Sequence, residues 1–138
     1  MKAGVKWRGE ASFMGESGSG HMVLMDGPPE SGGRNRGPRP MEMLLMGTGG
    51  CAAFDVVLIL KKGRQDISDC EVRIEAERAE REPKVFTRIH FHFTLTGKKL
   101  NPQQVERAIS LSAEKYCSAS IMLAKTAELT HDFEIVEA

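Results

Sequence analysis

The stretch Met46–Asp55, "MGTGGCAAFD", places one cysteine, Cys51, among three glycines, a threonine and two alanines. It lies in the longest apolar-or-small run of the chain, Met43–Phe54, which Glu42 and Asp55 close at its two ends. The run follows Pro40 and is continued by apolar residues up to Lys62, where Gly63 stops it, so a helix over about Met41–Lys62 is expected. Its apolar positions are not confined to one stripe. A helix that is apolar nearly all round must be covered nearly all round, which one small chain would struggle to do, so a partner subunit is implied. A glycine inside a helix costs about 1 kcal/mol relative to alanine. Gly47, Gly49 and Gly50 therefore need a cause: close approach of other backbone, or open space for a substrate at the sulfur. On a helix Cys51 shares its face with Leu44, Gly47, Thr48, Phe54, Asp55 and Leu58. Two readings follow, a thiol at the floor of a small apolar pocket or a packed structural cysteine.

Working outward, residues 2–9 and 12–25 read as short strands broken by glycine turns. Asp26–Pro40, "DGPPESGGRNRGPRP", is a long loop rich in Gly and Pro, either functional or a mobile surface segment. Beyond the helix, "DCEVRIEAER" alternates Cys70, Val72, Ile74 and Ala76 with charged residues, and "KVFTRIHFHFTLTG" places Val85, Ile89, Phe91, Phe93 and Leu95 on an inner face. The two are expected to form an antiparallel hairpin. Asn101 is a good N-cap, Pro102 suits the first helical position, and Gln104 completes a capping-box pattern. Val105, Ala108, Ile109, Ser112 and Tyr116 keep helical spacing, helical character continues or restarts through "SASIMLAKTA", and "ELTHDFEIVE" is a last strand. The order is α+β, in one domain over residues 1–138.

Composition bounds the function. The 138 residues carry 19 Lys plus Arg against 19 Asp plus Glu, which offers no electrostatic case for nucleic acid or an anionic membrane surface. The N-terminus does not read as a signal peptide, and the run Met43–Phe54 is too short to span a bilayer, so a soluble, cytoplasmic protein is expected. Three cysteines, Cys51, Cys70 and Cys117, argue against a secreted disulfide scaffold, and without CxxC or paired Cys/His spacing a structural zinc site is not indicated.

Cys117 is followed by small residues, Ser118, Ala119 and Ser120, as Cys51 is surrounded by small ones. If the chain breaks between Tyr116 and Cys117, the thiol sits at the first turn of a helix, where the dipole favours its thiolate. Cys51 and Cys117 could then meet as a redox pair, whereas Cys70 takes an inward strand position and reads as core. Asp55, one turn beyond Cys51, would oppose thiolate formation unless solvated or paired, a loop arginine being one available partner. His90 and His92 share one strand face, but no third ligand is in reach of the sequence argument, so a metal there is not expected. Glu114, one turn before Cys117, reads equally as a surface residue or a local acid.

"RPMEMLLMGTGGCAAFDVV" followed by "LSAEKYCSASIML" resembles the OsmC/Ohr family of thiol-dependent hydroperoxide reductases, in its short OsmC-like branch, over nearly the whole chain. The resemblance implies an intertwined homodimer, antiparallel β-sheets wrapped around central helices. It implies Cys51 as the peroxidatic residue, Cys117 as the resolving one, an organic hydroperoxide as substrate, an external dithiol as reductant, and no metal or organic cofactor. It also implies a glutamate and an arginine that steady the thiolate. Glu42 is the available acid, although family members carry it ten residues before the cysteine and here the separation is nine, which turns it away on a regular helix. Arg34, Arg36 and Arg39 in the loop are the available donors, with Arg36 or Arg39 favoured, and Ser118 stands where many members have proline. Two other functions compete: a non-enzymatic binding module for a small hydrophobic ligand, and a thiol redox sensor.

Overall fold

The computed structural model describes residues 1–138 and orders them as β1 (Ala3–Trp7), β2 (Ser12–Ser17), β3 (Met22–Asp26), α1 (Pro40–Lys62), β4 (Asp66–Arg78), β5 (Phe86–Lys98), α2 (Pro102–Leu111), α3 (Ser118–Leu123) and β6 (Glu128–Glu137). The chain forms two compact units, Met1–Met46 and Gly47–Ala138.

The first unit is an antiparallel meander, β1–β2–β3, followed by the long loop. That loop is built rather than loose. The Asp26 side chain is only 1% exposed, and its Oδ2 accepts the backbone N–H groups of Arg34 (2.9 Å) and Arg36 (3.2 Å). These bonds hold the carboxyl below the usual carboxylate range. Gly33 and Gly37 are pressed against the carbonyls of Gly27 and Leu24, where a Cβ has no room. Arg39 is the residue before α1, and Glu42, third in the helix, accepts its N–H at 2.8 Å. Glu42 thus serves as the acid of a capping box.

The second unit is a three-stranded sheet in the order β4–β5–β6. β4 and β5 form the expected antiparallel hairpin, but β6 joins β5 in parallel, because α2 and α3 return the chain to the starting end of the sheet before β6 begins. The inner face carries Ile89, Phe91, Phe93 and Leu95, all buried. One detail of the alternation departs from expectation. A bulge opposite Glu77 and Arg78 inserts Thr87, whose hydroxyl bonds the Glu77 carbonyl at 3.2 Å, and so Phe86 turns inward and Val85 outward.

Helix α1 starts at Pro40 and ends at Lys62, one residue longer than the sequence reading. Its 23 residues are long and apolar enough to cross a membrane by length and composition, unlike the Met43–Phe54 run taken alone. Within the second unit it packs instead, burying Thr48, Gly49, Ala52, Val56 and Leu60 on one face. A Cβ on Gly49 would stand 2.7 Å from Ile74 Cδ1, so this glycine admits β4 to the helix, whereas Gly47 and Gly50 look onto open space. At α2 the cap is as expected on one side only. Asn101 Oδ1 accepts from Gln103 (2.9 Å) and Gln104 (3.4 Å), but the Asn101 N–H goes to Gln65 Oε1 at 2.8 Å rather than back to Gln104. Tyr116 lies on the surface, because the helical register changes before it.

Candidate functional site

Cys51 comes from the middle of α1, at the border between its buried face and its exposed one, and is half-buried. Cys117 is fully buried. What delivers it is a change of helical pitch. After α2 the chain widens into a π-helical turn, Ser112–Tyr116, closed by the Cys117 N–H on the Ser112 carbonyl at 2.8 Å. Cys117 itself is extended (φ −79°, ψ 98°) and caps α3. The break is therefore at Cys117, and the thiol acts as cap rather than lying in the first turn. Its Sγ accepts the Ser120 N–H (3.4 Å) and the Ser120 hydroxyl (3.1 Å), and faces the Thr48 carbonyl at 3.9 Å.

The two sulfurs and a carboxylate oxygen of Asp55 lie within 4.8 Å of one another. Asp55 reaches the site because it is four residues after Cys51 on one helix face. Within the second unit it has a hydroxyl partner. The Ser112 hydroxyl contacts Asp55 Oδ2 at 3.2 Å and the Ala52 carbonyl at 3.4 Å. Burial pushes the Cys117 thiol up, the neighbouring Cys51 adds to this, and the two Ser120 donors pull the other way. Cys70 lies opposite Leu95 on the inner side of β4, half-buried. Burial, with the adjacent Asp69 carboxylate, raises it to about 11.

Ser120, which bonds Cys117, and Ala52, next to Cys51 in α1, help to line a small, mostly apolar cavity of about 40 Å³, together with Phe91, Phe93, Ile109 and His131; neither sulfur lines it. Sequence reasoning missed three of the side chains that shape this region. Ser112 was legible only as a position of helical spacing, and Ser120 only as a small residue near Cys117. His131 was overlooked, although strict alternation in the last strand puts it on the inner face with Leu129, Phe133 and Ile135; its Nε2 stands 3.8 Å from Glu106 Oε1.

Of the other candidates, Arg34, Arg36, Arg39 and Glu42 belong to the first unit. Arg34 pairs with Glu10 at 2.6 Å, and the Arg39 guanidinium bonds Asn35 Oδ1 and the Gly37 carbonyl, both at 3.3 Å. Glu114 is exposed. On the outer face of the sheet the parallel register of β6 sets two acids beside His90 and His92. Asp132 Oδ1 lies 2.9 Å from His90 Nε2 and 2.7 Å from His92 Nδ1, and Glu134 lies 3.3 Å from His92 Nε2.

Comparison with known proteins places this geometry. The chain is 54% identical to protein YhfA of Escherichia coli K12 over all 138 residues, covering the whole of both. A hypothetical protein of Aquifex aeolicus VF5 shares the fold at a TM-score of 0.87 and 28% identity, over 99% of this chain and 96% of the other. An organic hydroperoxide resistance protein OsmC from Legionella pneumophila superposes at a TM-score of 0.73 with 18% identity over 97% of each chain, a likeness of fold. The family model for OsmC-like protein matches residues 32–132, from the arginine loop through both cysteines and into the last strand, so the chain belongs to the OsmC-like protein family.

Proposed function

We propose that this protein reduces organic hydroperoxides with Cys51 and Cys117, in defence against oxidative stress. The observation that carries the reading is the pairing of a half-buried sulfur with a fully buried one, both within 4.8 Å of each other. Only the first is placed to meet a substrate from solvent. The Cys51 thiolate attacks the distal oxygen of the hydroperoxide. The O–O bond breaks, the alkoxide takes a proton and leaves as an alcohol, and Cys51 becomes a sulfenic acid. Cys117 then attacks the Cys51 sulfur, the S–O bond breaks, water leaves, and a disulfide forms. An external dithiol returns both sulfurs to thiols by exchange. The Ser120 N–H and hydroxyl favour a thiolate at Cys117 for the second step. The apolar cavity that Ala52 and Ser120 share with Phe91 and Phe93 suits an alkyl group better than hydrogen peroxide.

Two features of the reading concern the rest of the chain, taken as one functional domain. Cys51 needs a positive charge to form its thiolate beside Asp55. Among the loop arginines Arg36 is the one whose guanidinium has no partner within the first unit, and we assign it this role ahead of Arg39, with Glu42 supporting the loop through its bond to the Arg39 backbone. The working form is a soluble homodimer. The face of α1 opposite its buried side carries Gly47, Gly50, Phe54 and Leu58, with Phe54 68% and Leu58 40% exposed, which leaves an apolar stripe for a second copy. A cavity this small gives less support to storage of a hydrophobic ligand.

The test is consumption of cumene hydroperoxide by the reduced protein with a dithiol present. Cys51→Ser abolishes turnover. Cys117→Ser allows one oxidation and stops at a sulfenic acid that a dimedone probe labels. Equal partial losses from both changes would reverse the assignment of roles.

A further inference from the structure

We propose that Cys51, Cys117 and Asp55 of the reduced protein form a three-ligand site for a thiophilic divalent cation, of which Zn²⁺ is the type. Three observations lead there. The three donor atoms lie within 4.8 Å of one another. Around a tetrahedral zinc, with Zn–S near 2.3 Å and Zn–O near 2.1 Å, neighbouring donors stand roughly 3.5 to 3.8 Å apart. Small side-chain rotations therefore suffice to bring the set onto one ion. Cys51 and Asp55 are four residues apart on α1, the spacing that lets one helix face present two ligands, and the break at Cys117 brings the third from a different element.

The surroundings of the ligands also fit a metal. The Ser112 hydroxyl, held near the Ala52 carbonyl, contacts the outer oxygen of Asp55 and fixes its orientation. The Ser120 N–H and hydroxyl both point at the Cys117 sulfur. Such outer partners orient and tune ligands. Charge favours a cation here as well. Two sulfurs and a carboxylate gathered this closely cannot all be anionic unaided. A dication resolves the conflict: two S–metal bonds form, the two thiol protons go to solvent, and the carboxylate supplies the third bond. Three protein ligands leave the fourth position to water, as in zinc sites that stay open.

The consequence deepens the peroxidase reading and, unlike metal binding itself, rests on it: sulfurs bound to a metal are withheld from hydroperoxide, so the cation would hold the reduced protein inactive.

The experiment uses the reduced full-length protein under argon with no peroxide present, so it stands or falls apart from peroxidase activity. Titration with Co²⁺ is expected to give one equivalent per chain, with thiolate-to-cobalt charge-transfer absorption and the visible bands of tetrahedral cobalt, all displaced by one equivalent of Zn²⁺. Cys70→Ser is expected to behave like the unaltered protein. Cys51→Ser and Cys117→Ser lose the charge-transfer band, and Asp55→Asn weakens binding by about tenfold or more. Should a cysteine variant lose its fold by circular dichroism, the unaltered protein still decides. With free zinc about tenfold above its Kd, alkylation of Cys51 slows by about tenfold while that of Cys70 does not change. Absence of charge transfer, binding undiminished in Asp55→Asn, or unprotected Cys51 would overturn the proposal.

Discussion

Three thiols in one chain differ because their surroundings differ. Only a thiolate is a good nucleophile. Cys70, held up to about 11 mainly by burial, is protonated at neutral pH. Burial raises Cys117 as well, but its sulfur lies within 4.8 Å of the Cys51 sulfur, so organic hydroperoxide is expected to oxidise Cys51 and Cys117 and leave Cys70 reduced, as peptide mass spectrometry after treatment would report; a disulfide through Cys70 would contradict the reading. The His92–Asp132 pair carries a pH dependence whose sign is fixed by its hydrogen bonds. Those to Asp132 and then Glu134 raise His92 above its ordinary value of 6.5, and those to His92 and His90 lower Asp132 below 3.8. The His92 contribution is fully present below pH 6.5 and is lost as pH rises through the raised value; the Asp132 contribution is present above 3.8 and is lost as pH falls through the lowered one. Asp132→Asn is expected to bring the His92 titration, followed by NMR, back toward lower pH. An unmoved titration would mean the pair does not form in solution.

At the scale of elements, caps and register matter more than propensity. The start of α2 rests on Asn101 Oδ1 and its two backbone donors. Asn101→Ala is expected to cost about 1 kcal/mol, measured by urea unfolding. Gln65→Ala should also destabilise the same helix start, since Gln65 and not Gln104 receives the Asn101 N–H. Gln104→Ala should do so less, and the reverse order would restore the local capping box. Gln65 could not be found from spacing, because it stands 36 residues away. The same holds for the bulge at Thr87: alternation read from the sequence carries no mark of one extra residue, and so it misplaced Val85 while placing every inner residue beyond it.

For the whole molecule the open question in the stretch Met46–Asp55 divides in two. Gly49 is small because Ile74 of β4 closes on it, while Gly47 and Gly50 belong to the stripe that ends in Phe54 and Leu58. In the proposed homodimer this stripe is the surface that a second copy of the chain covers. Phe54→Glu is expected to shift the protein from dimer to monomer in sedimentation velocity at micromolar concentration, with the far-ultraviolet circular dichroism kept. A stable monomer without the change would remove the dimer from the proposed function.

By itself the sequence determined what depends on neighbours along the chain. The helix over α1 and its termination, the hairpin of β4 and β5, the cap at Asn101 and the two cysteines as the residues to watch were all legible, because periodicity and capping are local. The α+β order followed from them, and the two cysteine-bearing stretches carried the family resemblance. Tertiary structure decided what depends on residues distant in sequence. It made β6 parallel to β5, it set Asp132 between His90 and His92, and it gave Asp55 the hydroxyl of Ser112, 57 residues away. It also brought the sulfurs of Cys51 and Cys117 together. The physical reason is the π-helical turn before Cys117: its wider pitch ends one helix, buries the thiol and starts the next, and a change of pitch is selected by packing against α1, not by any pattern in the residues that undergo it.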